Sequence, residues 1–250
     1  MRKIKDIELW QGDCLELMKQ IPNESVDMIL CDLPYGNTAC KWDSIIPFEA
    51  LWEQYNRIIK DNGAIVLFGS EPFSSKLRLS NFEMYKYDWI WQKNKASNFI
   101  NCKYQPLKSY ENICVFSKKA CTYSVKGNMS YYPQGIKLLN KPKKQKRTGQ
   151  KQAEIYHTNP NIETTQTVSN YPNSIIQFDM ESKSIHPTQK PVPLLEYLIK
   201  TYTNENNIVL DNCMGSGSTG MACKNLNRKF IGIELDENYF EIAKNRIENT

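Results

Sequence analysis

The sequence predicts an α/β protein organised around a mostly parallel sheet. Three observations carry that expectation. Over both ends of the chain, short apolar runs bounded by turn residues alternate with stretches of helical period. The run Val26-Asp27-Met28-Ile29-Leu30-Cys31-Asp32-Leu33-Pro34-Tyr35-Gly36 reads as a buried strand that stops in a turn. Nearer the C-terminus, Ile208 to Glu234 reads as strand, glycine turn, helix and strand in succession, a βαβ unit.

Ile7 to Trp10 is a short strand, followed by the Gly12-Asp13 turn and a helix from about Cys14 to Gln20. After the strand ending at Asp32, Phe48, Leu51, Trp52, Tyr55, Ile58 and Ile59 fall at helical spacing. Asp61-Asn62-Gly63 is expected to end that helix, and Ala64 to Phe68 to form a buried strand. Pro72 to Leu79 reads as helix, and Tyr87–Trp91 and Asn112–Phe116 as two neighbouring strands. From about 120 to 184 the chain turns polar and Lys-rich with no sustained period, which reads as a partly irregular insertion. Regularity resumes at His186-Pro187-Thr188-Gln189-Lys190-Pro191, with Thr188 as helix N-cap and Leu194, Leu195, Leu198, Ile199 and Tyr202 on one helix face. After the βαβ unit, Tyr239, Phe240, Ala243 and Ile247 mark a last helix. The domains are therefore 1–119 and 185–250, two halves of one α/β domain, with 120–184 inserted between them.

Composition narrows the function. No run of about 18 apolar residues exists, so no membrane span is expected. Eight cysteines without a Cys-x-x-Cys pair, and only two histidines, argue for reduced thiols in a cytoplasmic protein and against a metal site. The net charge is +5, but Lys137, Lys141, Lys143, Lys144, Lys146, Arg147 and Lys151 cluster, and no acid occurs between Glu111 and Glu154. Such a block points to a polyanion partner, with a solvated flexible loop as the alternative.

Two stretches carry chemistry. At the end of the first buried strand, Asp32 offers an acceptor, Pro34 stiffens the turn and Tyr35 supplies an aromatic face, a set suited to a flat ring bearing an amino group. In the βαβ unit, Asp211-Asn212-Cys213-Met214-Gly215-Ser216-Gly217-Ser218-Thr219 forms a tight loop, and Glu234 closes the next strand where an acid can take ribose hydroxyls. The loop lacks a P-loop lysine and the third glycine of a dinucleotide fingerprint. A nucleoside without pyrophosphate, S-adenosylmethionine, suits it better.

Together these motifs resemble the DNA amino-methyltransferases in their permuted, beta-type order, in which the catalytic motif precedes the cofactor loop. Asp32-Leu33-Pro34-Tyr35 is similar to the family's Asp-Pro-Pro-Tyr, Asp211 to Thr219 to its Asp-Pro-Phe-x-Gly-Ser-Gly-Thr loop, and His186 to Pro191 to the segment that leads into the helix before that loop. Leu33, Asn212, Cys213 and Ser218 depart from the pattern. The resemblance implies a Rossmann-like S-adenosylmethionine-dependent methyltransferase fold. Its sheet is mostly parallel with helices on both faces, circularly permuted, and carries a small inserted target-recognition region.

It implies further that the strand ending at Asp211 lies beside the one ending at Asp32, and Ile7–Trp10 beside Phe230–Ile233. Asp32, Leu33, Pro34 and Tyr35 are then the catalytic residues. The cofactor residues are Asp13, Cys14, Asp32, Thr188, Lys190, Asp211, Asn212, Cys213, Met214, Gly215, Ser216, Gly217, Glu234 and Leu235. Asp13 takes the adenine amino group, and Lys190 either pairs with the cofactor carboxylate or faces solvent. No metal is implied.

The expected activity is methyl transfer to the N6 amino group of adenine in duplex DNA, after the base flips out and stacks on Tyr35. Cytosine N4 is the alternative acceptor; Asp at position 32 favours adenine. RNA or protein-glutamine amino-methyltransferases usually carry Asn there. An inactive cofactor-sensing DNA-binding module would need a degraded Asp32 or glycine loop. Double-stranded DNA is the expected partner, with a cognate restriction endonuclease and a homodimer as further candidates. Lys141, Lys143, Lys144, Lys146 and Arg147 are the expected phosphate contacts, and Asn159, Asn161, Gln166 and Asn170 candidate base readers.

Overall fold

A computed structural model of the protein describes residues 2–4, 6–36, 44–123, 125–146, 163–180 and 189–249. The elements run β1 (Arg2–Ile4), β2 (Ile7–Gln11), α1 (Cys14–Met18), β3 (Val26–Cys31), α2 (Phe48–Ile58), β4 (Ile59–Gly69), α3 (Phe73–Ser80), β5 (Tyr85–Ser97) and β6 (Lys108–Phe116). There follow β7 (Lys137–Lys146), β8 (Glu163–Ser169), β9 (Ile175–Gln177), α4 (Val192–Tyr202), β10 (Ile208–Asp211), α5 (Ser218–Asn225), β11 (Lys229–Glu234) and α6 (Glu237–Glu248). Two compact units result: residues 1–132 with 174–250, and residues 133–173.

The larger unit is one sheet in the order β1-β2-β11-β10-β3-β4-β6-β5-β9. β1 and β6 run against their neighbours and the other strands run together. The sequence-distant strands β10 and β3 are paired, Val209 opposite Met28, and β2 lies beside β11 over five residue pairs. Both sheet faces are buried, which is why the central strands read as continuous apolar runs rather than alternating ones. On one face Met28, Leu30, Ala64, Val66 and Phe68 meet Leu194, Leu195, Leu198, Ile199 and Tyr202 of α4, Ala222 and Cys223 of α5, and Phe240, Ala243 and Ile247 of α6. On the other, Ile29, Cys31, Ile65 and Leu67 meet Met18 of α1, Leu51, Trp52, Tyr55 and Ile58 of α2, and Phe73 and Leu77 of α3. The chain leaves β3 toward β4 and leaves β10 toward β11, in opposite directions. The β3–β10 boundary is therefore the switch point, where ligands of open α/β sheets sit.

Several boundaries differ from the sequence expectation. Asp61-Asn62-Gly63 does not follow α2 as a turn; it lies inside β4, where the six residues Ile59 to Ala64 run beside only three, Val26 to Met28. Turn-forming residues there accommodate a bulge. Thr188 is not the cap of α4: the helix opens at Val192 after Pro191, and Thr188 lies outside the described residues. The compact second unit is narrower than 120–184, because Met129 and Ile176 are buried in the main core and β9 extends the sheet edge against β5. Within the second unit β7 and β8 pair antiparallel. Their described side chains are exposed or half-buried, so no apolar alternation announced them.

α4 is pinned by Tyr202, whose hydroxyl accepts from Trp89 Nε1 at 2.6 Å and lies 3.0 Å from the Tyr87 hydroxyl. Tyr202→Phe leaves the buried indole N–H without its acceptor. It is expected to lower the unfolding free energy in urea by about 1–3 kcal/mol. An unchanged urea midpoint would show that the indole finds another partner.

Candidate active site

The carboxyl ends of β2, β11, β10, β3 and β4 open onto a cavity of about 640 Å³, within the range of small-molecule sites. Each of its two walls joins residues from both ends of the chain. One holds Asp13, Cys14, Asp211, Asn212, Cys213, Met214, Gly215, Ser216, Glu234 and Leu235; the other holds Asp32, Leu33, Pro34, Tyr35 and Lys190.

The first wall is rigid because its polar groups bond one another. Asp211 is 4% exposed and accepts from Thr219 Oγ1 at 2.6 Å and from Cys213 N at 3.1 Å. Burial pushes its carboxyl from the ordinary 3.8 up to about 7 despite those donors. Glu234 accepts from Gly215 N at 2.8 Å and Asp236 N at 2.9 Å, and burial raises it too. Gly215 has φ +52 and nothing within 4 Å of where a Cβ would stand, so its backbone faces open space. Gly217 serves packing instead: a Cβ there would lie 2.9 Å from the Ala243 Cβ, and the residue does not line the cavity. Asp13 caps α1, its Oδ1 accepting from Leu15 N at 2.8 Å and Glu16 N at 3.2 Å. Asn212 accepts from the Tyr55 hydroxyl at 2.6 Å, and its amide nitrogen lies 3.6 Å from Cys14 Sγ and 3.5 Å from Cys213 Sγ.

The second wall is a chain of charges. The Tyr35 hydroxyl donates to Asp32 Oδ1 at 2.7 Å, and Lys190 bonds Asp32 Oδ2. Lys190 also reaches Glu111 Oε2 at 3.5 Å, and Glu111 Oε1 bonds Lys93. Lys190 is 8% exposed. Burial disfavours its charge, but Asp32 and Glu111 outweigh burial and set it above the usual lysine value. Glu111 is pushed up by burial and pulled down further by Lys190 and Lys93, ending below the usual carboxylate range. Burial and the Asp32 charge push the Tyr35 phenol well above its ordinary value, so it stays a donor. The Tyr35 ring stacks on Phe73 with centroids 4.8 Å apart. Phe68 underlies Lys190 and Trp91 underlies Lys93, each nitrogen 5.0 Å from the ring centroid.

Of the two alternatives for Lys190, the solvent-facing one is overturned: the ammonium is bound by carboxylates inside the wall. Glu111, Lys93, Phe68 and Trp91 line the same cavity and were missed by sequence reasoning. The available signal was a charged residue at the end of each apolar strand run, but only the pairing of Trp91 with Glu111 brings β5 and β6 charges together. In the second unit, Lys141, Lys143 and Lys144 are exposed on β7, and Lys146 ends it opposite Glu163. Arg147, Asn159 and Asn161 lie outside the described residues. Gln166 and Asn170 spend their amides locally, on Val168 O at 2.9 Å and Gly135 O at 2.6 Å. Among the described residues no group of three His, Cys, Asp or Glu is placed to hold a metal, and no helix is long and apolar enough to cross a membrane.

A glycine loop and an Asp-x-Pro-Tyr turn meet at one switch point, the arrangement implied by the resemblance to the DNA amino-methyltransferases. The comparisons with known proteins narrow the class. The family described as DNA methylase, acting at N6 or N4, matches residues 26–245, and the chain belongs to it. The DNA adenine methyltransferase YhdJ of Escherichia coli is 30% identical over 257 residues, covering 95% of this chain and 81% of that protein. The type II methyltransferase M.HinfI of Haemophilus influenzae is 28% identical over 266 residues, covering 95% and 67%. Among solved structures, the M1.HpyAVI–SAM complex superposes with a TM-score of 0.64 at 30% identity, covering 96% of this chain and 98% of that one. The cytosine-N4-specific PvuII DNA methyltransferase shares the fold with a TM-score of 0.65 at 14% identity, covering 96% and 86%.

The raised Asp211 value has a signed consequence. Between pH of about 4 and about 7 the folded protein holds a proton that the unfolded chain has released. Stability present at the acid end is therefore lost as the pH climbs to about 7. Asp211→Asn is expected to flatten the fall in unfolding free energy over that window, measured without ligand. Parallel pH profiles for parent and variant would remove Asp211 as its source.

Proposed function

We propose that the protein transfers a methyl group from S-adenosylmethionine to the N6 amino group of adenine in double-stranded DNA. The observation that carries this is Asp32, held between Tyr35 and Lys190 on the wall of the same cavity that the glycine loop lines. The residues fit the cofactor. Gly215 leaves backbone open to close approach, Glu234 keeps acceptor capacity beyond its two N–H donors for ribose hydroxyls, and Asp13 keeps a second oxygen for an amino group. Met214, Ser216 and Leu235 complete that wall. When bound, S-adenosylmethionine supplies an electrophilic methyl on a sulfonium.

The chain's own residues do the rest. An exocyclic amine is a poor nucleophile because its lone pair is delocalised into the ring. Asp32 accepts one amine hydrogen and the main-chain carbonyl of Leu33 or Pro34 accepts the other. That turns the lone pair toward the methyl and stabilises positive charge growing on nitrogen. Tyr35 and Lys190 fix the Asp32 carboxylate, so it does not reorganise as charge develops. Phe73 backs the Tyr35 ring, the aromatic surface on which an extruded base is proposed to stack. Adenine is favoured over cytosine by the acid at position 32 and by the adenine-specific name of YhdJ.

The insertion is read as the target-recognition region. Exposed lysines along an antiparallel ribbon suit phosphate contacts, and Arg147 extends the run. The type II relatives extend the proposal to a cognate restriction endonuclease acting on the same sequence.

Single-molecule sequencing of DNA from a host expressing the protein is expected to show N6-methyladenine at one short sequence. The Asp32→Ala variant should show none while its cofactor affinity by calorimetry stays within a few-fold. N4-methylcytosine, or unmodified DNA from the parent, would sink the adenine reading. Replacing Lys143, Lys144 and Arg147 with Gln is expected to weaken binding to every duplex. It should reduce the slope of log affinity against log salt by about 0.9 for each phosphate that is no longer neutralised. An unchanged slope would take these side chains off the DNA.

A further inference from the structure

β5 and β6 do not stop at the sheet. They continue past the Trp91–Glu111 pair as a two-stranded ribbon, close again at Ser97 and Lys108, and carry loop 98–107 at the tip. The loop is ordered by its own polar groups. Asn98 takes a left-handed φ of 71°, Phe99–Asn101 form a 3-10 turn, and Asn101 Nδ2 donates to Asn98 Oδ1 at 2.7 Å. Cys102, Tyr104 and Gln105 donate their N–H groups back into the same turn. The apolar side chains of this ordered loop are left in solvent: Phe99 is 63% exposed, Ile100 95% and Tyr104 88%. A contiguous apolar tip on a charged protein marks an interaction surface.

Three observations identify what it meets. Lys95 and Lys103 are exposed on the ribbon and loop, and no Asp or Glu occurs between Asp88 and Glu111, so the surroundings suit a polyanion. The ribbon rises from the active-site rim, since Trp91, Lys93, Ser97 and Glu111 all line the cavity. A cavity that takes a base from a duplex also leaves a gap in the stack beside its mouth, and apolar wedges are what proteins insert into such gaps.

We propose that loop 98–107 is a wedge that enters the duplex as the target base leaves it, with Phe99 and Ile100 occupying the vacated step. This rests on the DNA methyltransferase reading above and adds to it the element that drives extrusion. Lys95 and Lys103 hold the flanking phosphates.

The test uses the intact protein and the double variant Phe99→Ser/Ile100→Ser. The substrates are two duplexes carrying the sequence found methylated in the host, one fully paired and one with an abasic site opposite the target adenine. Both side chains are solvent-exposed, so cofactor affinity by calorimetry should match the parent and certify the fold. On the paired duplex the variant's kcat/KM is expected to fall about ten- to a hundredfold. On the abasic duplex, where extrusion costs little, it should come within about threefold of the parent. With 2-aminopurine at the target position, fluorescence should rise on binding the parent and stay low with the variant. Equal losses on both duplexes, or none on the paired one, would overturn the wedge. A change in sedimentation between parent and variant without DNA would also overturn it, assigning the loop to contact between copies. Parental methylation of the paired duplex tests the enzymatic reading by itself.

Discussion

Lys190 sits almost fully buried between Asp32 and Glu111, and the site depends on that ammonium. A charge taken out of water costs several kcal/mol unless matched, and here it is matched twice. Buried ion pairs are weak contributors to net stability, because desolvation offsets most of the Coulomb attraction. Their effect is positional. Asp32 closes β3 near the start of the chain, and Lys190 precedes α4 more than 150 residues later. The pair fixes the turn after β3 against the segment that leads into α4. Lys93 and Glu111 extend the constraint to β5 and β6, so four elements share one electrostatic register.

How much of this was legible follows from what each feature is made of. β3, β10 and β11 announced themselves because burial on both faces demands unbroken apolar runs. The two motifs did so because their chemistry needs particular residues in sequence. The pairing of β10 with β3 and of β2 with β11 came from the resemblance and is borne out by the strand register. The rest is tertiary. Glu111 and Lys93 gain meaning only from a cross-strand partner, and the fixed orientation of Asn212 only from Tyr55 of α2. The Asp61-Asn62-Gly63 turn signal was real, but β3 decided that the turn be absorbed as a bulge. β1 and β9 are three residues each, too short for any period, and the β7–β8 ribbon has no buried face to imprint one.

The glycine loop shows the same division of labour. Gly215 and Gly217 look equivalent in the motif, yet one presents backbone to the cavity and the other lets α6 pack closely, with Arg246 of that helix donating to Ser216 Oγ at 2.8 Å. Glycine loop and helix are thus one mechanical piece, and a change at Ala243 would be felt at Ser216.

The two sheet faces are covered by different parts of the sequence: α1, α2 and α3 on one side, α4, α5 and α6 on the other. A ribosome delivering the chain in order therefore completes β2 to β6 with one apolar face bare. That face stays bare through the whole insertion, until the last 60 or so residues emerge. Contacts so distant along the chain slow folding, because loop closure must precede any gain from burial. In that interval Met28, Leu30, Val66 and Phe68 form a sticky surface on a half-made sheet, the kind of intermediate that chaperones shield.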